Sequence, residues 1–96
     1  MIHSPGHPGW LLAEELETRG IAISQAAKDL DVSRQTMSRI IHAAQPVTAE
    51  MAAKLGHYFG GSAGLWVRMQ AQHDLWNAQQ SLAAQLKKMP VAATPA

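Results

Sequence analysis

The run Ser33-Arg34-Gln35-Thr36-Met37-Ser38-Arg39-Ile40 sets polar side chains at helical spacing: Arg34 with Ser38, and Gln35 with Arg39, are i, i+4 pairs. On a helix these four share one face, while Met37, Ile40 and Ile41 share the opposite one. The chemistry that suits such a face is the reading of base edges. An arginine fork matches O6 and N7 of guanine, and a glutamine amide matches N6 and N7 of adenine. Arg34, Gln35, Ser38 and Arg39 are therefore the candidate base readers. Ser33 and Thr36, with Ser24 at the start of the preceding helix, carry hydroxyls suited to phosphate oxygens.

Competing chemistries find little material. Ser24, Ser33 and Ser38 are accounted for by helix caps and this polar face, and no histidine and carboxylate are spaced to activate any of them. No catalytic residue is expected, and the chain does not read as an enzyme. His3 and His7 have the separation of a helical ligand pair, but Pro5 and Gly6 between them prevent a helix from aligning the rings. With no cysteine in the chain, neither a thiolate zinc site nor a disulfide is available. No metal and no cofactor are expected. His42, His57 and His73 read as isolated surface residues near helix ends.

The elements that must position the polar face are all helices, since no stretch sustains the two-residue alternation of a strand. The pattern predicts an all-α, five-helix domain. Helix one starts near Pro8, carries Leu12 and Leu16, and stops at Gly20. Helix two covers about Ile23 to Leu30, with two possible starts: Ser24 as its cap, or two residues earlier at Ala22 without a good cap. Ser33 caps helix three, which runs to about His42 and buries Met37, Ile40 and Ile41. Thr48 and Glu50 open a fourth helix, with Met51, Ala52, Leu55 and Phe59 inward and Gly60-Gly61 at its end. Ser62 caps a fifth with no breaker until Pro90, about 25 residues or roughly 38 Å. Leu65, Trp66 and Met69 in its first half pack on the core. Leu75, Trp76, Leu82 and Leu86 lie beyond what four short helices cover, so they are expected to form a dimer or partner surface.

Composition sets the outer bounds. Ninety-six residues, 47% hydrophobic and 16% charged, suffice for one globular domain. No apolar run approaches the roughly 18 residues of a membrane span, and no signal segment is apparent at the start, so a cytoplasmic protein is expected. The net charge of +1 conceals a gradient. Residues 1–31 carry Glu14, Glu15, Glu17, Asp29 and Asp31 against Arg19 and Lys28, a net −3; residues 32–96 carry six cations against Glu50 and Asp74, a net +4. A basic face is thus compatible with a nearly neutral whole.

Helices two and three also meet the steric demands of a helix-turn-helix. Ala27 is the small residue where the helices touch, Asp31 sits at the bend four positions on, and Ala26, Leu30, Val32, Met37 and Ile40 are the apolar anchors. Asp tolerates the left-handed backbone that such a bend requires. The run from Leu30 to Ile40 resembles the phage-repressor class of helix-turn-helix proteins. His7-Pro8-Gly9 before an acidic first helix, Thr48-Ala49-Glu50-Met51-Ala52, and Leu65-Trp66-Val67-Arg68-Met69-Gln70-Ala71-Gln72-His73-Asp74-Leu75 extend the resemblance over about residues 6 to 76. These flanks resemble the HigA antitoxins of bacterial toxin–antitoxin modules. The resemblance implies a homodimer that represses its own operon on palindromic double-stranded DNA and binds a HigB-type toxin, an RNase that cleaves messenger RNA on the ribosome.

Two positions depart from that family. Its members usually follow the recognition helix with an Asn-Gly and a basic pair, where this chain has His42-Ala43-Ala44-Gln45, and Ile23 replaces the usual Gln at the start of helix two. Modest affinity per subunit and dependence on a dimer, with half-sites about 34 Å apart, are expected. The organisation read from the chain is an arm over 1–7, a DNA-binding domain over 8–76 with the helix-turn-helix at about 23–42, an extension of helix five over 77–89 and a disordered tail over 90–96. A stand-alone repressor without a toxin, and an interaction protein that has lost DNA binding, are the alternatives. The acidic start is expected to face a basic toxin.

Overall fold

The computed structural model describes residues 6–93. Of the expected arm this includes only Gly6 and His7; His3, Pro5 and the last three residues of the expected tail lie outside it. The chain is all helical, in the order α1 (Gly9–Arg19), α2 (Ile23–Asp29), α3 (Arg34–Ile41), α4 (Ala49–Phe59), α5 (Ala63–Ser81) and α6 (Ala83–Lys88).

Local signals set most of these boundaries. Gly20 ends α1 at φ 67°, with its own amide bonded to the Glu17 carbonyl and the Ile21 amide to that of Leu16. Ser33, Thr48 and Ser62 each accept a backbone hydrogen bond at the starts of α3, α4 and α5, from Thr36, Met51 and Gly64 respectively. Helix α2 follows the uncapped alternative: Ala22 precedes it in extended conformation, and Ser24 sits inside the first turn rather than at the cap.

The expected single fifth helix is divided. Regular structure breaks at Leu82 (φ −97°, ψ 3°), giving two helices and six among the described residues. The Ser81 hydroxyl donates to the Asn77 carbonyl at 2.8 Å, a back-bond to position i−4 that bends helices. Every residue from 77 to 93 is exposed, so no packing opposes the break.

The core is built at the other end of the molecule. Leu12 and Leu16 of α1, Ala26, Ala27 and Leu30 from α2 and its end, Met37 and Ile40 of α3, Val47 of the following loop, Met51, Ala52 and Leu55 of α4, and Trp66 of α5 form one cluster. Burying each large side chain contributes about 1.5–3 kcal/mol. Leu65, expected in this core, is exposed, and Met69 is only half-buried; Trp66 is the apolar side chain that α5 buries, with Gln70 one turn on. Two glycines permit close helix approach. A Cβ on Gly9 would lie 1.9 Å from the Ile40 carbonyl oxygen, and one on Gly56 would lie 2.6 Å from the Ala63 nitrogen. Helix α1 thus starts directly on the end of α3, and α4 lies directly on the start of α5. The molecule measures 56 × 28 × 24 Å, its long axis reflecting the projection of α5 and α6 beyond the core.

Candidate nucleic-acid interface

Helix α3 is fastened from one side only. Met37 and Ile40 are buried, and Arg34, Gln35 and Arg39 are exposed on the opposite face, with Ser38 half-buried at its edge. Among the described residues neither arginine forms an ion pair; the one such pair joins Arg19 to Glu15. Ser33 is engaged twice with Thr36, accepting its amide and donating to Oγ1, both at 2.9 Å, so these two hydroxyls fix the helix start. Ser24 is exposed on the first turn of α2. The structure thus brings Arg34, Gln35, Ser38 and Arg39 together on one surface.

The bend between α2 and α3 is tight. Asp31 adopts φ 55°, and the Val32 amide reaches back to the Ala27 carbonyl at 3.0 Å. Ala27, buried at the crossing, leaves room for α3. Asp29 secures α2 to α4: Tyr58 Oη donates to Oδ2 at 2.5 Å and Gln25 Nε2 to Oδ1 at 2.8 Å. The Tyr58 bond, then that of Gln25, holds the Asp29 carboxyl below its usual range, and the same contact pushes the Tyr58 hydroxyl up.

The loop after α3 is where sequence reasoning missed most. Ala43 takes φ 58°, with its amide bonded to the Ile40 carbonyl and that of Ala44 to Arg39. The left-handed helix stop that suits Gly or Asn is therefore kept with an alanine. Buried Gln70 of α5 accepts the Val47 amide at 2.8 Å and donates to Asp74 at 2.9 Å. His7 is buried too, and the ring of His73 meets it edge-on with centroids 5.1 Å apart. His73, expected to be isolated near a helix end, is instead half-buried in mid-α5, where Asn77 Nδ2 approaches its Nε2 at 3.1 Å. With Gln45, Pro46, Gln70 and Asp74 the two rings line a cleft of about 280 Å³. The signal for this cluster lay in the His-Pro-Gly and Gln-x-x-x-Asp patterns, whose members meet only in the fold. Among the described residues no group of three or more metal-ligating side chains is gathered.

The far end carries the apolar surface. Leu75, Leu82 and Leu86 are 58%, 42% and 45% exposed, and Trp76 is half-buried. Met89 and Val91 extend the exposed apolar surface beyond the residues singled out from sequence. Among the described residues no helix is long and apolar enough to cross a membrane.

No protein-family model matches the chain. It is 41% identical over 75 residues to virulence-associated protein A′ of Dichelobacter nodosus, covering 77% of this chain and 65% of that protein, slightly under two thirds of its length. It is 39% identical over 90 residues to an uncharacterised helix-turn-helix transcriptional regulator of Haemophilus influenzae, covering 86% of this chain and 84% of that one. The fold superposes on the Pseudomonas aeruginosa antitoxin HigA, solved with the higBA promoter, at a TM-score of 0.87 and 31% identity, covering 94% and 99% of the two chains. The helix-turn-helix fold is thus shared almost end to end with that antitoxin. The chain belongs to the HigA-type antitoxin family of phage-repressor-like helix-turn-helix proteins.

Proposed function

We propose that the protein is a DNA-binding antitoxin that represses its own operon as a homodimer and neutralises an mRNA-cleaving toxin of the HigB type. The observation that carries the DNA half is the α3 surface: Arg34, Gln35 and Arg39 are exposed, free of ion pairs among the described residues, and set on a helix anchored by Met37 and Ile40. Such a helix fits the major groove with its first turn toward base edges. Ser24, Ser33 and Thr36 flank it toward the phosphates. The Pseudomonas relative, solved with the higBA promoter, supports the same mode here.

Two monomers are needed to read a palindrome, and Leu75, Trp76, Leu82 and Leu86, exposed or half-buried, supply apolar area for a dimer or partner. For the toxin, exposed Glu14 and Glu17 on α1 present negative charge, while Glu15 is paired with Arg19 at 2.8 Å. The protein acts by binding, in the cytoplasm, with no cofactor.

The test measures binding to the DNA upstream of its own gene against scrambled DNA over a range of salt concentrations. Operator-preferring binding that weakens linearly on a log–log salt plot supports the reading. A dimer that binds no operator-sized fragment at low salt would refute it. Toxin neutralisation is read separately, as protection of messenger RNA from the adjacent gene's product. Unaffected toxin binding after neutralising Glu14, Glu15 and Glu17 would remove α1 as the toxin face.

A further inference from the structure

His7 occupies an unusual position. Its Nδ1 accepts the amide of Gly9, the first residue of α1, at 2.9 Å. A neutral ring therefore carries its proton on Nε2, and that atom is buried with no hydrogen-bond partner among the described residues. The added proton of the imidazolium would go to Nδ1, where it would point at the Gly9 amide, donor against donor. Gly9 is also the residue that lies against the Ile40 and Ile41 carbonyls at the end of α3. The bond that protonation would break is thus made at Gly9, the residue seated against the end of the recognition helix.

We propose that His7 is a positioning residue for α3 and acts as a proton-sensitive latch: neutral, it holds α1 against the end of α3 and permits operator binding; protonated, it releases both. The proposal rests on the DNA-binding reading above. The titratable groups that act on the ring both come from α5. His73, edge-on at 5.1 Å, disfavours a second positive charge, and Asp74 favours one. From the α3–α4 loop the Gln45 backbone also favours protonation, and from α1 the Gly9 amide donates to the ring. Burial is the largest influence, and it pulls the His7 ring below the usual histidine range, with His73 next. The folded protein thus resists the proton more than the unfolded chain does. Stability associated with neutral His7 is complete well above pH 6.5 and is lost as pH falls through 6.5 toward the lower folded value.

The experiment compares operator affinity at pH 7.5 and 5.5, at constant ionic strength, for the wild type and for His7→Asn, whose side-chain oxygen can still accept the Gly9 amide but does not titrate. In the wild type, affinity should fall on acidification by at least about threefold and by no more than about tenfold per pH unit, the limit for one linked proton. His7→Asn should match the wild type at pH 7.5 and lose that fall. An equal fall in both proteins would overturn the latch. Independently, NMR of the wild type should show the Gly9 amide resonance moving with the titration of the His7 ring; a Gly9 amide indifferent to that titration would overturn it too. Absence of wild-type operator binding at pH 7.5 would count against the DNA-binding reading, and the NMR arm alone would then decide the latch.

Discussion

The buried side chain of Gln70, on α5, accepts the backbone amide of Val47 at 2.8 Å and so ties the longest helix to the loop that follows the recognition helix. A core apolar residue thus has its backbone polarity satisfied by a side chain 23 positions away. The bond accounts physically for a buried glutamine on the inner face of α5.

Gln70→Leu should therefore destabilise the protein by about 1–3 kcal/mol, since the Val47 amide would stay buried without an acceptor. For a chain of this size that lowers Tm by about 4–8 °C per kcal/mol, readable by circular dichroism. An unchanged Tm would mean that the bond contributes nothing in solution.

Ala43→Gly should do the opposite. Alanine at φ 58° carries a left-handed penalty that glycine does not, so the variant is expected to gain about 1 kcal/mol in urea unfolding with an unchanged slope. A loss of stability would show that the loop prefers some other backbone.

Gly9→Ala and Gly20→Ala separate two reasons for a glycine. At Gly20 nothing lies within 4 Å of a Cβ, and only the φ of 67° opposes substitution, so about 1 kcal/mol is expected. At Gly9 the new Cβ would meet the Ile40 carbonyl at 1.9 Å, forcing α1 off α3, and the cost should be clearly larger. Equal midpoints for the two variants would contradict the close packing of α1 on α3.

The α2–α4 tether titrates at both ends of the pH scale. Asp29 has a lowered carboxyl, so its contribution is present above about pH 3.8 and is lost as pH falls below that value. Tyr58 has a raised hydroxyl, so its contribution is present below pH 10 and is lost as pH rises past it. Tyr58→Phe should flatten both limbs of the stability profile; if both persist, the tether does not form in solution.

How legible the molecule was in its sequence depended on range. The caps at Ser33, Thr48 and Ser62 and the stop at Gly20 are decided within four residues, and each lies where the pattern put it. The polar face of α3 was legible for the same reason, since a helix period alone separates Arg34 and Gln35 from Met37 and Ile40. The break at Leu82 was not, because Ser81 and Leu82 are ordinary helix residues and a back-bond tips the balance only where no packing opposes it. Leu65 was placed inward by its apolar character, yet Trp66 beside it takes the buried position. The pairing of His7 with His73 joins residues 66 positions apart, which no local period encodes.

The measurement that bears most directly on the central claim, that α3 reads bases, is the affinity of Arg34→Ala and Arg39→Ala for the operator and for random DNA at one salt concentration. If these side chains read bases, each substitution should cost about 1–3 kcal/mol on the operator and far less on random DNA, with correct folding retained. An equal loss on both DNAs would assign the arginines to phosphate, and no loss on either would contradict the α3 interface altogether.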